Sequence, residues 1–224
     1  MKLREIKEIF AKNANPADKI PMEAYMRNQF EFYGIRAGKR RYISKPIIKE
    51  ANKTDTIDRD FLEALFKDQK REINYLALDI LKAQAHLLKI SDFDRLVSLA
   101  TIRPRWDTID NIDTIIGTIG LVENDFDDKI LKLSTSDNFW LRRIAIGHQR
   151  KYKEKTKTDL LAKIIKNNLQ IPCEDTDEKF FIDKAIGWAL REYSKTNPAW
   201  VRDFIDENKN DLASLSIREA SKYL

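Results

Sequence analysis

A tryptophan and an aspartate four residues apart, Trp106 and Asp110, are the side chains in this sequence best suited to chemistry. Residues at positions i and i+4 share one face of an α-helix, so both are expected to point the same way. Later segments add a fixed cation, Arg143, and a second indole, Trp188. An acid, two flat aromatic rings and a guanidinium can together hold a sugar-phosphate and stabilise a positive charge that develops beside them.

Purely structural interpretations compete with this one. Asp107 is a good N-cap, and acids near a helix start interact favourably with the helix dipole, so these carboxylates need no further role. Asp113 continues the acidic series and is expected at the surface. Indoles fill cores more often than they bind ligands, which fits Trp140 and Trp200 with their apolar neighbours. Trp188 differs, because the glycine before it allows another backbone or a ligand to come close.

The composition limits the class of protein. Of 224 residues, 42% are hydrophobic, which is enough for a core. Six glycines and six prolines disfavour a many-stranded fold with frequent tight turns. Lysine and arginine number 41 against 36 acids, a net charge of +5. This balance fits a polyanionic partner such as nucleic acid, although many ordinary cytosolic proteins reach it as well.

Reactive side chains are few. Cys173 is the only cysteine, so we expect no internal disulfide and a reducing, cytoplasmic location. Its acidic neighbours, Glu174 and Asp175, predict a raised thiol pKa and therefore an unreactive thiol. With two histidines and no cysteine cluster, we expect no metal and no cofactor. The N-terminal segment lacks the apolar core of a signal peptide, and no apolar run approaches transmembrane length, so no membrane association is expected.

Amphipathic patterning with the period of an α-helix runs from end to end and must position these residues. No strand or hairpin signal stands out. Asn15 followed by Pro16 predicts a helix start, since asparagine caps helices and proline suits the first helical position. Pro46 is expected to interrupt or kink its helix. We predict helices over residues 3–10, 16–26, 39–53, 58–67, 72–89, 91–100, 107–122, 125–133, 138–151, 158–168, 178–194, 198–208 and 213–223.

An internal repeat links the later helices. Residues 139–146 align with residues 180–187 at an offset of 41 residues, and the same offset aligns Arg143 with Lys184 and Arg150 with Arg191. This period lies within the roughly 40–47 residues of HEAT-type repeats. We therefore predict one all-α domain over 1–224, a HEAT-like helical-repeat solenoid whose concave side can wrap a long ligand. Chance similarity between two amphipathic helices is the alternative.

Nearly the whole chain resembles the AlkD-type alkylpurine DNA glycosylases, a family of HEAT-like-repeat DNA alkylation repair enzymes. The stretch around Trp188 is the most specific part of the resemblance. The matching motifs are Asn15-Pro16 with Tyr25-Met26, Phe32-Tyr33-Gly34-Ile35 followed by Arg40-Arg41, Trp106-Asp107-x2-Asp110, Trp140-Leu141-x-Arg143, and Lys184-Ala185-Ile186-Gly187-Trp188-x-Leu190-Arg191-Glu192-Tyr193.

The resemblance implies a monomer that hydrolyses the N-glycosidic bond of cationic N3- or N7-alkylated purines in double-stranded DNA, without a cofactor. It implies that Asp110 is the catalytic carboxylate and that Trp106 and Trp188 flank the deoxyribose of the lesion. It further implies DNA contacts from a basic and aromatic group of residues: Arg143, Lys184, Tyr25, Arg40 and Arg41.

The chemistry explains why so few residues suffice. An alkylated purine already carries a positive charge, so it can leave without a general acid, and an oxocarbenium-like sugar remains. A carboxylate beside the sugar stabilises that charge and can orient water, and indole faces add cation–π stabilisation. Glycosylases generally flip out the target base. The resemblance implies an exception in which the base stays stacked.

The sequence departs from the family pattern at two places, and two functions other than glycosylase are alternatives. Residues 36–38 replace a frequent Thr-Pro-Glu, and Arg105 stands where an aromatic residue is common, which bears on affinity and substrate range. A non-catalytic DNA-binding paralogue and a protein-binding helical scaffold are the alternatives. Retention of Asp110 between two indoles favours the enzyme, because a pure scaffold needs neither.

Overall fold

The chain is entirely helical in the computed structural model, which describes residues 2–123, 125–173 and 175–224. Over those ranges it contains no strand longer than a single backbone bridge, between Glu31 and Lys70. The predicted all-α fold is confirmed. The α-helices are α1 Leu3–Lys12, α2 Pro16–Tyr25, α3 Ala37–Ala51, α4 Arg59–Phe66, α5 Arg71–Ala83, α6 Phe93–Ala100, α7 Trp106–Gly120, α8 Phe126–Leu133, α9 Phe139–Gly147, α10 Thr158–Gln170, α11 Thr176–Ser194, α12 Pro198–Asn208 and α13 Ser214–Ala220.

Two compact units divide the chain, residues 1–88 and 89–224. A single domain over the full length therefore stays a prediction. The first unit holds α1 to α5, and the second holds α6 to α13.

In the first unit, α4 packs against α1 and α5, and α3 packs against α5. A buried carboxylate fixes the loop that follows α2. Glu72 is fully buried and accepts hydrogen bonds from the backbone amides of Tyr33, Gly34 and Ile35 at 2.9–3.0 Å. Gly34 has a φ of 85°, and a Cβ there would lie 2.1 Å from the carbonyl oxygen of Asn15, so only glycine fits.

In the second unit, α9 lies between α7 and α11 and packs against both. Helix α6 covers α7, helices α8 and α10 pack on α9, and α12 and α13 pack on α11. The helices meet through fully buried isoleucines, among them Ile109, Ile116, Ile144 and Ile186. Side chains on α7, α9 and α11 can therefore meet at one place.

Several predicted helix boundaries are confirmed. The Asn15 side chain accepts a hydrogen bond from the amide of Ala17 at 3.1 Å and caps α2. The predicted range 198–208 coincides with α12, which Asn197 caps through the amide of Trp200. One pair of positions that the proposed repeat aligns, Trp140 and Phe181, is buried alike, with each residue 7% exposed.

Two expectations about the helices are wrong. Pro46 does not interrupt α3, which continues to Ala51, and buried Ser44 and Ile47 on either side hold the helix against the unit. Asp107 is not the N-cap of α7. The helix begins at Trp106, with Arg105 at the N-cap position, and packing buries Asp107 in the first turn.

Candidate active site

The centre of the site is an ion pair between α7 and α9. Arg143 donates through Nε to Oδ1 of Asp110 at 2.7 Å and through Nη2 to Oδ2 at 2.8 Å. Such a two-pronged bond matches the planar shapes of both groups and fixes the carboxylate in orientation. The Asp110 side chain remains 13% exposed, whereas that of Arg143 is 4% exposed. Asp110 therefore offers a rigid carboxylate with an accessible edge.

The rest of the Arg143 guanidinium is bound to α11. Its Nη1 donates a hydrogen bond to the carbonyl oxygen of Phe181, and its Cζ lies 5.7 Å from the centre of the Phe181 ring. The whole residue is 3% exposed. Arg143 on α9 thus contacts both α7 and α11. Its remaining N–H groups can donate to a further partner.

A second, deeper ion pair lies beside the first. Asp113 is 1% exposed and accepts a hydrogen bond at 2.5 Å from Nη2 of Arg150, in the turn after α9. The expectation of Asp113 at the surface is therefore wrong. Burial raises the pKa of the Asp113 carboxyl, and the charge of Arg150 opposes that rise. At Gly147 a Cβ would lie 2.1 Å from Oδ2 of Asp113, so glycine makes room for this carboxylate.

Arg150 connects this buried pair to an indole. Its Nη2 also donates to the carbonyl oxygen of Asp110 at 2.8 Å, and its Cζ lies 4.1 Å from the centre of the Trp188 ring. Arg191 approaches the same ring, with its Cζ 5.7 Å away. A guanidinium at this distance makes a cation–π contact. Arg150 therefore contacts both the Trp188 ring on α11 and the backbone of Asp110 on α7.

Trp106 begins α7 and is partly exposed. Helix geometry places it on the same face as Asp110, four residues later. The residue before it, Arg105, has its Cζ 5.4 Å from the centre of the Phe181 ring, the same ring that Arg143 approaches.

Lys184 lies on α11, the helix that packs against α13. Lys184 is partly exposed, with Nζ 5.6 Å from the Phe180 ring. A Cβ on Gly187 would lie 2.8 Å from the carbonyl oxygen of Ser216, so the glycine before Trp188 admits the backbone of α13. Lys222 above all, with Lys184 and Arg191, lowers the pKa of Glu219.

The predicted residues of the first unit differ in their surroundings. Tyr25 is 71% exposed and Arg41 is exposed. Arg40 is largely buried: its Nη1 bonds Oδ2 of Asp79 at 2.5 Å, and its Cζ lies 5.1 Å from the Tyr75 ring. Of the two adjacent arginines, Arg41 is thus the more available to a ligand.

Sequence reasoning missed the parts played by Asp113, Arg150 and Phe181. Two signals were present. Asp113 follows Trp106 by seven residues and so shares its helix face. Arg150 aligns with Arg191 in the proposed repeat, and both guanidinium groups contact Trp188. Nothing in the sequence indicates that a carbonyl of α11 receives Arg143.

Other predictions concern residues away from the centre. The pKa of Cys173 is raised, as expected, by burial first and then by Glu178. Glu174, named in that prediction, lies outside the described residues. In 2–123, 125–173 and 175–224, no three His, Cys, Asp or Glu side chains come close enough to hold a metal ion. None of the helices described is both long and apolar enough to cross a bilayer.

Two comparisons with known proteins found a match. Residues 6–224 match the family model described as DNA alkylation repair enzyme. A solved structure described as a predicted DNA alkylation repair enzyme from Enterococcus faecalis is similar, with 35% sequence identity and a TM-score of 0.83. The match covers 94% of this chain and 96% of that chain. Among curated proteins, no match is found.

Proposed function

The chain belongs to the DNA alkylation repair enzyme family, and from that premise we propose that it is a DNA glycosylase of base excision repair. Its substrate is double-stranded DNA that contains cationic N3- or N7-alkylated purines. The chain acts as a monomer and hydrolyses the N-glycosidic bond.

The observation that carries this proposal is the fixed, accessible carboxylate of Asp110. Arg143 bonds one lone pair on each Asp110 oxygen. An ionised carboxylate has further acceptor sites on both oxygens. In the proposed complex those sites face the deoxyribose, where they stabilise positive charge at C1′ and accept a hydrogen bond from water. Because Arg143 already orients the group, no reorganisation is needed as that charge develops.

The reaction needs only one acid. The bond between C1′ and the purine nitrogen breaks, and its electron pair neutralises the positive charge of the alkylated base. Water then adds to C1′, and its proton passes to Asp110 or to solvent. The leaving group is a neutral purine, so no second carboxylic acid is required. This fits a centre in which the other nearby acid, Asp113, is buried and paired.

Trp106 and Trp188 are the proposed walls of the sugar site. Trp106 shares a helix face with Asp110, and Arg150 contacts both the Asp110 backbone and the Trp188 ring. Aromatic faces stabilise a cationic sugar electrostatically and keep water away from its other sides. Placing such groups before the substrate arrives is what makes them effective.

Each unit contains residues that we propose contact DNA. Arg143 can contact the backbone through the N–H groups that Asp110 and Phe181 do not use. Lys184 and Arg41 present charge at the surface, and Tyr25 presents an exposed ring. Arg40 contributes through its charge while Asp79 holds it. Contacts of this kind position a duplex without reading its sequence.

The first prediction tests excision directly. We expect the wild-type chain to release N7-methylguanine from methylated duplex DNA, and Asp110→Asn to lower the single-turnover rate at least roughly 100-fold, because a neutral amide cannot stabilise the cationic sugar. DNA affinity should change little. The matched control is Asp94→Asn, which removes an exposed carboxylate paired with Lys129 at 2.9 Å.

The outcomes separate the alternatives. Equal single-turnover rates for wild type and Asp110→Asn would remove Asp110 from the mechanism. A wild-type chain that binds duplex DNA but releases no purine would be a non-catalytic DNA-binding paralogue. Failure to bind DNA at low salt would instead favour a protein-binding scaffold. Thermal unfolding of both variants verifies that each is folded.

A further inference from the structure

Arg105 differs from Arg143 and Arg150, whose guanidinium groups pair with Asp110 and Asp113. Among the residues that the structure describes, its side chain makes no hydrogen bond or ion pair, and its Nε is buried without a partner. Its Cζ lies 5.4 Å from the centre of the Phe181 ring. A buried guanidinium nitrogen without a hydrogen-bond partner is unfavourable in free energy, which an anionic ligand would relieve.

The backbone of Arg105 is firmly held, in contrast to its head group. Its carbonyl oxygen accepts hydrogen bonds from the amides of Thr108 and Ile109 at 3.1 and 3.0 Å, and from the hydroxyl of Thr108 at 3.1 Å. The Phe181 ring supports the guanidinium from one side. A side chain that is anchored at its base and supported along its length loses little entropy when it binds.

Arg143 is in the opposite situation. Asp110 balances its charge, three of its N–H groups are bonded, and the residue is 3% exposed. Arg105 is more accessible, and its charge is not balanced in the part of the chain that is described. The two guanidinium groups approach the same residue, Phe181, so both belong to one site.

We propose that Arg105 binds the DNA phosphodiester next to the deoxyribose that Asp110 faces. This proposal rests on the proposed function and adds a binding residue to it. Five residues of α-helix rise about 7.5 Å, so the long Arg105 side chain is within reach of a phosphate that adjoins this deoxyribose. A guanidinium matches two phosphate oxygens with parallel hydrogen bonds. Arg105 therefore positions the strand, while Arg143 positions the carboxylate.

The second prediction concerns Arg105→Gln. Affinity for an uncleaved duplex should fall roughly tenfold, and the slope of log K against log salt should decrease in magnitude by about 0.9, the value for one lost phosphate contact. Arg105→Lys should keep the salt slope but recover only part of the affinity, since it keeps the charge and loses the two-pronged geometry.

Arg202→Gln is the matched control, because Arg202 is exposed on α12 and the substitution changes the net charge equally. A second probe locates the contact: duplexes that carry one neutral methylphosphonate at successive positions. One position should weaken wild-type binding but leave Arg105→Gln unaffected. Thermal unfolding should be unchanged, since Arg105→Gln removes no hydrogen bond among described residues.

Two results would overturn the proposal. One is an affinity and salt slope for Arg105→Gln equal to those of Arg202→Gln. The other is a methylphosphonate scan in which both proteins lose binding equally at every position. These are equilibrium measurements on uncleaved DNA, so they can be read even if the wild-type chain excises nothing. If either result is found while the wild-type chain excises normally, the proposed Arg105 contact is wrong and the proposed glycosylase activity is unaffected.

Discussion

Two guanidinium–carboxylate pairs lie side by side between α7 and α9, and their exposure separates their roles. The Asp110 side chain is 13% exposed, whereas that of Asp113 is 2% exposed. Only the first can meet a substrate without movement. The second pair is buried on both sides, since the Arg150 side chain is 9% exposed. A buried pair adds little net stability, but breaking it leaves an uncompensated charge.

The third prediction follows from this asymmetry. Arg150→Gln alone should destabilise the protein by about 3 kcal/mol, because Asp113 is left buried without its partner. The double variant Asp113→Asn/Arg150→Gln should recover most of that stability, since neither charge remains. The double variant should still excise about tenfold more slowly, because it loses the side chain that contacts both the Trp188 ring and the Asp110 backbone. Urea unfolding and single-turnover excision measure the two effects.

A matched control for this pair is the double variant Asp94→Asn/Lys129→Gln, which removes an exposed pair. It should change stability by less than about 1 kcal/mol and leave excision at the wild-type rate. If the Asp113/Arg150 double variant excises as fast as this control, Arg150 has no positioning role. If it is no more stable than Arg150→Gln, the charge of Asp113 is not the source of the loss.

Among the helices, α11 and α13 approach each other unusually closely. The hydroxyl of Ser216 bonds the carbonyl oxygen of Asp183 at 2.7 Å, and Arg191 pairs with Glu219 at 2.7 Å. Gly187 lies in this contact, where a Cβ would be 2.7 Å from the Cβ of Glu219. Glycine is unfavourable in a helix interior, so its presence here reflects the contact.

The fourth prediction is that Gly187→Ala destabilises the chain by about 1–3 kcal/mol, because the added methyl forces α11 and α13 apart. Gly38→Ala is the control. Gly38 is in helix α3, and a Cβ there has no neighbour within 4 Å, so alanine should stabilise by about 0.5–1 kcal/mol. Urea midpoints that place both alanine variants on the same side of wild type would contradict this account.

Local sequence predicted those elements whose signals are local. The start of α12 follows from Asn197 before Pro198, because capping and a proline at the first helical position are properties of adjacent residues. The start of α7 could not be predicted in the same way. Its N-cap position is Arg105, which makes no side-chain capping bond, and packing of the first turn decides the boundary instead.

For the whole molecule, periodicity predicted the helical class, and the resemblance predicted the centre around Asp110. The hydrogen bonds that support that centre could not be predicted from the sequence. The bonds from Arg143 to Phe181 and from Arg150 to Asp110 span 38 and 40 residues. Such pairings depend on which helices become neighbours, and hydrophobic period alone does not specify that. Asp113 shows the consequence: a charge pattern that fits the surface is buried because Arg150 lies opposite it.

Stability of the whole chain against acid is governed in part by a buried histidine outside the site. His148 is 1% exposed, and its Nδ1 lies 2.6 Å from the carbonyl oxygen of Ala145. Burial lowers the pKa of His148 from 6.5 to about 4, with a smaller contribution from Lys157 and opposition from Ala145 and Asp127. The folded protein therefore holds this imidazole neutral at a pH where the unfolded chain protonates it.

The fifth prediction is the sign and range of the resulting pH dependence. The stability due to neutral His148 is fully present above pH 6.5 and is lost as the pH falls towards about 4, because only the unfolded chain takes up the proton over that interval. A difference of this size amounts to about 3 kcal/mol.

His148→Gln cannot titrate, so its free energy of unfolding should fall less between pH 7 and pH 4. Other groups, including Asp113, titrate in both proteins and cancel in the comparison. His86→Gln is the matched control, because it replaces an exposed imidazole by the same amide. Parallel profiles for wild type and His148→Gln would mean that His148 reaches solvent before the chain unfolds, and that burial of the imidazole does not resist acid.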